Sequence, residues 1–269
     1  MKPLFFLTVL FLFSHFSIAQ NLFIKSFGKS KNEPVIFIHG GPGSSSAAFG
    51  ATTAQHLADK GYYVIIYDRR GEGLSSGEGA AYTFNQTFDD LNSIYTKFSL
   101  HKATLIGFSF GGIVSALSAE RYPSKIKSLV LVSALLSQKD TYPTVLNRSK
   151  AIYQQQKDTP ALSDVKRIEL MDESSFEYRT NCFRHSSKNG FFSTENKTTQ
   201  AERLYAQLES DPEYRKFSAQ KNDKAVEGFW NNEHYSTMSI IPVLKHLMAG
   251  KMKISALYGK DDGIFQFCK

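Results

Sequence analysis

Short apolar, β-rich runs alternate with amphipathic segments between residues 22 and 132, and this alternation constrains the fold most. Apolar residues at helical spacing predict helices between the later runs. Strands that alternate with helices form a mostly parallel sheet covered on both faces, so the predicted fold class is α/β. The predicted strands are Leu22–Phe27, Val35–Ile38, Tyr62–Tyr67, Thr104–Phe108 and Ser128–Val132, and the predicted helices are Ala47–Lys60, Asn85–Ser99 and Gly111–Arg121.

The alternation stops near Ser137 and returns with the apolar run Lys253–Tyr258. The intervening residues are polar, rich in Gln, Lys and Glu, and carry scattered aromatic side chains. This composition predicts a mostly helical insertion within one α/β core, and 269 residues suffice for both. The predicted organisation is a core over 20–136, a helical cap over 137–250 and the end of the core over 251–269.

The first 19 residues have the pattern of a signal peptide. Lys2 precedes the apolar run Leu4–Phe13, and Ser17-Ile18-Ala19 places small residues at a cleavage site. The run is shorter than the roughly 20 residues that cross a bilayer. We therefore expect export to the periplasm or the outside medium, with no stable membrane anchor after cleavage.

The formal net charge of +7 is modest. Its basic residues form no cluster interleaved with aromatic side chains, so a nucleic-acid partner is not predicted. The sequence does not indicate an oligomeric state.

The run Gly107-Phe108-Ser109-Phe110-Gly111 stands between a predicted strand and a predicted helix. In such a turn the backbone closes on itself while the hydroxyl projects outward, which requires small residues two positions to either side. The helix that follows adds backbone N–H groups and a positive dipole end beside the hydroxyl. This context predicts Ser109 as a nucleophile; the alternative is a glycine-rich turn with an incidental serine.

The run His39-Gly40-Gly41-Pro42-Gly43 follows the strand Val35–Ile38. Glycines let backbone amides approach a ligand closely. In an acyl-transfer site, the N–H groups of Gly41 and Phe110 would hold the developing oxyanion. His39 is a candidate base, but a hydrogen-bonded structural role is favoured for it.

Charged residues follow the strand Tyr62–Tyr67 in the run Asp68–Ser75. This run lacks the Gly-Lys-Ser or Gly-Lys-Thr ending of a phosphate loop. A turn tied by an ion pair of Asp68 with Arg69 or Arg70 is therefore favoured over a phosphate site.

Asp262 lies three residues beyond Gly259, after the last predicted strand. A carboxylate at a strand end can orient an imidazole and stabilise it when protonated. Asp262 is favoured for this role over its neighbour Asp261.

Taken in order, these motifs resemble the α/β-hydrolase superfamily, and the runs His39–Gly43 and Asp68–Ser75 are similar to its proline iminopeptidase-like branch. The resemblance covers roughly residues 21–265. It implies the α/β-hydrolase fold, with Ser109 as nucleophile, Gly41 and Phe110 as the oxyanion hole, and Asp262 as the triad acid. It implies no metal and no organic cofactor.

The same resemblance implies an aminopeptidase that releases N-terminal proline or another apolar residue from short peptides. Acidic cap residues commonly hold the amino group of such substrates, and the candidates here are Glu169, Glu173 and Glu177, with Asp172 beside them. Two departures bear on the substrate: Arg69 stands where these peptidases usually have Gln, and Phe110 stands where they usually have Trp. A carboxylesterase acting on a small ester and a non-catalytic binding protein stay open as alternatives.

By the same resemblance, the triad histidine follows the acid in the chain. The sequence ends at Lys269, and none of the seven residues after Asp262 is a histidine. The expectation is a truncated chain that lacks the His-bearing segment, the C-terminal strand and the closing helix, with impaired activity. His234 and His246 are the candidate substitute bases.

Overall fold

The computed structural model describes residues 22–75, 77, 79–193, 197–260 and 262–264. The strands in these residues are β1 (Ile24–Phe27), β2 (Glu33–Ile38), β3 (Tyr62–Tyr67), β4 (Ala103–Phe108), β5 (Ile126–Val132) and β6 (Lys253–Leu257). They form one sheet in the order β1-β3-β2-β4-β5-β6. β1 runs antiparallel to β3, and every other pair is parallel. The predicted α/β class with a mostly parallel sheet is confirmed.

Helices flank the sheet and fill the segment between β5 and β6. The core helices are α1 (Ala47–Phe49), α2 (Gln55–Asp59), α3 (Phe84–Lys97) and α4 (Phe110–Arg121). The later helices are α5 (Gln138–Gln156), α6 (Thr159–Ile168), α7 (Phe176–Lys188), α8 (Thr199–Ser210), α9 (Pro212–Gln220), α10 (Lys224–Glu233) and α11 (Ile241–Ala249).

Alternate residues of the central strands pack on opposite faces of the sheet. Ile36 and Ile38 join a large cluster with buried residues of α3 and α4. Phe37, between them, joins a smaller cluster with Val64 and Ala54 on the other face. Because both faces are covered, the strands read as nearly continuous apolar runs, and this is why their positions follow from sequence.

The predicted helix Ala47–Lys60 is interrupted. Residues Gly50–Ala54 form a π-helical turn between α1 and α2. Inside it the Thr52 hydroxyl donates to the carbonyl of Ala48 at 2.7 Å, a side-chain bond of the kind that bends helices. The apolar spacing that predicted one helix carries no information on this local change of hydrogen bonding.

The cap (137–250) has an apolar cluster of its own, formed by α5, α6 and α7 around Tyr142, Val165 and Tyr178. Its last helix, α11, instead packs against α4 of the core. The domain boundaries stay a prediction. None of the helices in the described ranges combines the length and the apolar character that a membrane crossing requires. The predicted signal peptide, residues 1–19, lies outside the described residues.

A hydrogen-bonded chain of polar side chains joins three cap helices. The buried His185 accepts from the Tyr153 hydroxyl at Nδ1 (2.8 Å) and donates from Nε2 to Asp164 (3.1 Å). The Tyr153 oxygen also accepts from the Asn189 amide at 2.9 Å. Burial lowers the pKa of His185 although Asp164 favours its charged form, so the neutral ring of this chain is stabilised.

We predict that Tyr153→Phe lowers the free energy of unfolding by about 1–3 kcal/mol, because it leaves Nδ1 of the buried His185 without a partner. Urea denaturation followed by circular dichroism measures the loss. Tyr62→Phe, at a tyrosine that is 39% exposed, is the control and should change stability by less than about 0.5 kcal/mol. Equal losses in the two variants would contradict the prediction.

Candidate active site

Ser109 occupies a strained turn between β4 and α4. Its backbone has φ +52° and ψ −118°, a conformation that costs a residue with a side chain about 1–3 kcal/mol. The surrounding chain fixes it, since its N–H donates to Val132 O at 3.0 Å and its carbonyl accepts from Gly112 N at 2.9 Å. A strained serine at the end of a central parallel strand is the arrangement that the sequence predicted.

The glycines on either side of Ser109 are required by close backbone contact. A Cβ on Gly107 would lie 2.5 Å from the carbonyl oxygen of Gly111. A Cβ on Gly111 would collide with the carbonyl of Ile38 in β2. The turn therefore closes on itself and on the neighbouring strand, so small residues are needed at both positions.

The loop His39–Gly43 lies directly against this turn. A Cβ on Gly40 would be 3.1 Å from the Cβ of Ser109. Gly41 has φ +107°, and a Cβ there would lie 2.9 Å from the backbone nitrogens of Gly43 and Ser44. Neither the Gly41 N–H nor the Phe110 N–H has an acceptor among the described residues, which leaves both donors available to a ligand oxygen.

A buried ion pair holds the loop in place. Arg69 donates from Nε to Glu72 at 2.6 Å, and both side chains are at most 1% exposed. The same guanidinium donates to the carbonyls of His39 (2.7 Å) and Gly40 (2.6 Å). Glu72 in turn accepts from Gly43 N at 2.6 Å. Cation and anion together therefore fix both ends of the glycine loop.

The prediction that Asp68 pairs with Arg69 or Arg70 is wrong. Asp68 accepts from Ser46 N (2.6 Å), Ser45 Oγ (2.9 Å) and Leu74 N (2.7 Å), because its carboxylate is enclosed by backbone and hydroxyl donors. The turn is nevertheless tied by ion pairs. Arg69 pairs with Glu72, and Arg70 pairs with Asp90 of α3.

His39 has a structural role. Its Nδ1 lies 2.9 Å from Gly40 O and its Nε2 accepts from Arg69 N at 3.1 Å, so the proton belongs on Nδ1. Burial and the Arg69 charge hold the pKa of His39 well below its usual range. A ring that is 1% exposed, with both nitrogens engaged, cannot take a proton from Ser109.

Strand register brings Asp262 to the same edge of the sheet as Ser109. Phe108, just before Ser109, pairs with Val132, and Val132 pairs with Leu257. Asp262 follows in a turn closed by its own N–H and Gly259 O at 3.2 Å. Its carboxylate accepts from Ile264 N at 2.9 Å, and its role as triad acid stays a prediction. Asp261 lies outside the described residues.

The three cap carboxylates proposed as an amino-group clamp lie on the protein surface. Glu169 pairs with Lys150 at 2.8 Å. Glu177 is 71% exposed and lies 3.8 Å from Arg167. Glu173 is also exposed. Their surroundings are those of solvated ion pairs, and their assignment to substrate stays a prediction.

No side chain among the described residues hydrogen-bonds to the Ser109 hydroxyl. His234 ends α10 with its ring against Trp230, and His246 is exposed on α11. In the described part of the chain, no three His, Cys, Asp or Glu side chains converge as metal ligands would.

Aromatic side chains surround the residue after Ser109, and the sequence did not predict this grouping. The Phe110 ring lies 5.1 Å from the Tyr235 ring, 5.3 Å from Phe229 and 5.8 Å from Phe84. The Arg69 guanidinium lies over it at 5.4 Å. Phe229 and Tyr235 come from the cap, so their distance in sequence hid the contact. The sequence feature that could have indicated this contact is the presence of aromatic side chains in an otherwise polar cap segment.

Residues 33–266 match the alpha/beta hydrolase fold family. A non-heme chloroperoxidase (CPO-A1) of Kitasatospora aureofaciens is 36% identical over 115 residues, which are 42% of this chain and 40% of the relative. A proline iminopeptidase of Clostridioides difficile is 33% identical over 149 residues, 54% of this chain and 49% of the relative. The chain thus spans less than half the length of these relatives.

Among solved structures, a carboxylesterase of Nitrososphaera gargenis is similar in fold. It superposes with a TM-score of 0.55 at 22% identity, over 90% of this chain and 78% of its own. At this identity the likeness concerns the fold.

We predict that Glu72→Gln lowers the free energy of unfolding by about 3–5 kcal/mol, because it leaves the buried Arg69 cation without its anion. Chemical denaturation measures the change. Glu33→Gln breaks an exposed pair with Lys127 (2.8 Å) and should cost at most about 1 kcal/mol. A loss at Glu72 as small as that at Glu33 would contradict this.

The lowered pKa of His39 makes stability depend on pH. The unfolded ring takes up a proton near pH 6.5 while the folded ring stays neutral, so stability is complete above that pH and falls below it. We expect a slope of up to about 1.4 kcal/mol per pH unit between pH 6.5 and 5 from this group.

Denaturation at several pH values measures the slope, which should be reduced in His39→Asn. His185 contributes with the same sign, so His185→Gln is the matched control that removes only the cap's share. An unchanged slope in His39→Asn would show that the buried ring is not its source.

Proposed function

The chain belongs to the alpha/beta hydrolase fold family, and we propose that it is a serine hydrolase whose nucleophile is Ser109. The strained turn at Ser109 carries the proposal, because it sets Ser109 at the end of β4, directly before Phe110 and against the loop that contains Gly40 and Gly41. Nothing in ordinary packing requires a serine with φ +52° at this position. Residues 1–19 support export as part of the same proposal.

In the proposed reaction Ser109 Oγ attacks the carbonyl carbon of an amide or ester. The carbonyl oxygen becomes an oxyanion that accepts from the N–H groups of Gly41 and Phe110. The carbon–nitrogen or carbon–oxygen bond breaks, the leaving amine or alcohol departs with the proton that Ser109 Oγ gave up, and water then hydrolyses the acyl-enzyme and returns a proton to Oγ. Asp262, at the same sheet edge, has the role of orienting an imidazole base.

The proposed substrates are short peptides that begin with proline or another apolar residue. The buried rings of Phe110, Phe229 and Tyr235 make the interior beside Ser109 apolar, which suits such a side chain. The partial similarity to a proline iminopeptidase supports the same class.

A carboxylesterase is the second candidate, and the position of the cap carboxylates favours it. Glu169 and Glu177 form exposed pairs with Lys150 and Arg167, so each already has a cationic partner from the protein. An ester substrate needs no such site.

We predict that a fluorophosphonate forms a covalent adduct on the peptide that contains Ser109. Mass spectrometry of the digested protein locates the adduct, which should be absent in Ser109→Ala and retained in Ser93→Ala, a change on helix α3. An adduct elsewhere, or none in the unmutated chain, would overturn the assignment of the nucleophile.

Prolyl 4-nitroanilide and 4-nitrophenyl acetate separate the two substrate classes. The peptidase proposal expects faster turnover of the prolyl amide, and loss of that turnover when the proline nitrogen is acetylated. Preference for the acetate ester, with no requirement for a free amino terminus, would replace the peptidase by the esterase.

A further inference from the structure

Arg179 of α7 is a partly buried cation in an aromatic environment. Its guanidinium lies over the rings of Phe183 (5.0 Å), Tyr235 (5.5 Å) and Phe176 (5.9 Å). Among the described residues it makes no salt bridge to a carboxylate, in contrast to Arg167 and Arg184 of the same cap, which both pair with Asp164. Contacts with ring faces stabilise a cation by about 0.5–2 kcal/mol, which falls short of the cost of removing it from water.

Several buried polar atoms near this cation have no hydrogen-bond partner among the described residues. They include Arg179 Nε and the hydroxyls of Tyr142 and Tyr235, two side chains that are each 1% exposed. The Arg179 charge acts on both tyrosines, since it opposes the rise that burial causes in the pKa of each. Each unsatisfied buried group destabilises the folded chain unless a ligand supplies its partner.

The buried side chain of Gln138, at the start of α5, adds to this set. Neither its amide oxygen nor its amide nitrogen has a partner, while its backbone N–H donates to Met238 O at 2.9 Å. Met238 is three residues from Tyr235. Elements that carry unpartnered polar groups, α5 and the Tyr235 turn, thus contact each other at one junction of cap and core, and Arg179 of α7 lies against Tyr235 there.

This junction adjoins the candidate active site. The Tyr235 ring contacts Arg179 on the cap side and the Phe110 ring, at 5.1 Å, on the core side. Phe110 follows Ser109 directly and carries one of the two predicted oxyanion donors. The Ser236 hydroxyl donates to Ser174 O at 3.1 Å and so ties the Tyr235 turn to the start of α7.

We propose that Arg179, with the hydroxyls of Tyr142 and Tyr235, binds a carboxylate group of the substrate. The proposal rests on the serine hydrolase function and names the substrate class of that site: an amide or ester that carries a free carboxylate. A carboxylate is negatively charged, so it can pair with the Arg179 cation. Its oxygens can also accept hydrogen bonds from the hydroxyls of Tyr142 and Tyr235. In a short peptide it is the C-terminus; in an ester it is the free end of a dicarboxylic half-ester.

Binding is measured by calorimetry in the full-length Ser109→Ala variant, so that no ligand is hydrolysed. Prolyl-alanine is compared with prolyl-alanine amide, and monomethyl succinate is compared with dimethyl succinate. The first pair tests a carboxylate on the leaving side of the scissile bond and the second a carboxylate on the acyl side. We expect the acid of at least one pair to bind about tenfold or more tightly than the partner that lacks the carboxylate.

Adding Arg179→Met should abolish that preference, Arg179→Lys should retain part of it, and Arg167→Met, at an exposed arginine of α6, should leave it unchanged. The proposal is overturned if neither acid binds more tightly than its partner without the carboxylate. It is also overturned if Arg179→Met lowers the affinity for both members of a pair equally. The acid and amide comparison in the Ser109→Ala chain decides the question even if Arg179→Met does not fold.

Failure of the serine hydrolase function is seen separately. Arg167→Met in the chain with Ser109 intact should form the neutral fluorophosphonate adduct at the unmutated rate. Loss of the adduct in the unmutated chain, with the acid preference intact, would refute the nucleophile and leave a carboxylate-binding site.

Discussion

The ion pair between Arg69 and Glu72 is the interaction on which the geometry at Ser109 depends. A glycine-rich loop has high conformational entropy, so His39–Gly43 would not hold an amide at a fixed position by itself. Arg69 binds the carbonyls at the start of the loop and Glu72 binds the N–H near its end. Since both charges are buried, water cannot take the place of a lost partner. A rearrangement of the loop would therefore leave hydrogen-bonding groups of Arg69 or Glu72 without partners, at a high cost in free energy. The charged residues after β3 thus influence the geometry at Ser109 by fixing the glycine loop that follows β2.

The sheet contributes the second constraint, which is register. Parallel pairing of β4, β5 and β6 aligns Phe108, Val132 and Leu257, so the residues that follow these strands emerge at one edge. The strain at Ser109 is maintained there by hydrogen bonds to β5 and to α4 and by the absence of side chains at Gly107 and Gly111. Ser109 and Asp262, which are distant in sequence, are brought to this edge by the pairing of the strands that precede them.

The core was predictable from sequence because its signals are local. The apolar runs predicted β2 to β6 to within two residues, and steric necessity at Gly107 and Gly111 predicted the turn. The partners of Asp68 and Arg69 were not predictable, since three carboxylates lie within or near that motif and only the path of the chain selects Glu72. The surroundings of Phe110 were hidden for a related reason: Phe229 and Tyr235 lie more than 100 residues away, in a segment whose helices follow no alternating pattern.

Charge is distributed unevenly across the cap, and this bears on which substrates suit the site. Its carboxylates at Glu169 and Glu177 point to solvent and pair with exposed cations, whereas Arg179 lies inward against Tyr235 with no anion beside it in the described part of the chain. Exposed ion pairs contribute little to the free energy of folding. A cation held among aromatic rings is less screened by water, so it interacts more strongly with a nearby charge. The inward face of the cap therefore favours negative over positive groups near Phe110. If the proposed function holds, a substrate ammonium group has to lie away from Arg179, and the charge at this junction then discriminates between the proposed substrate classes.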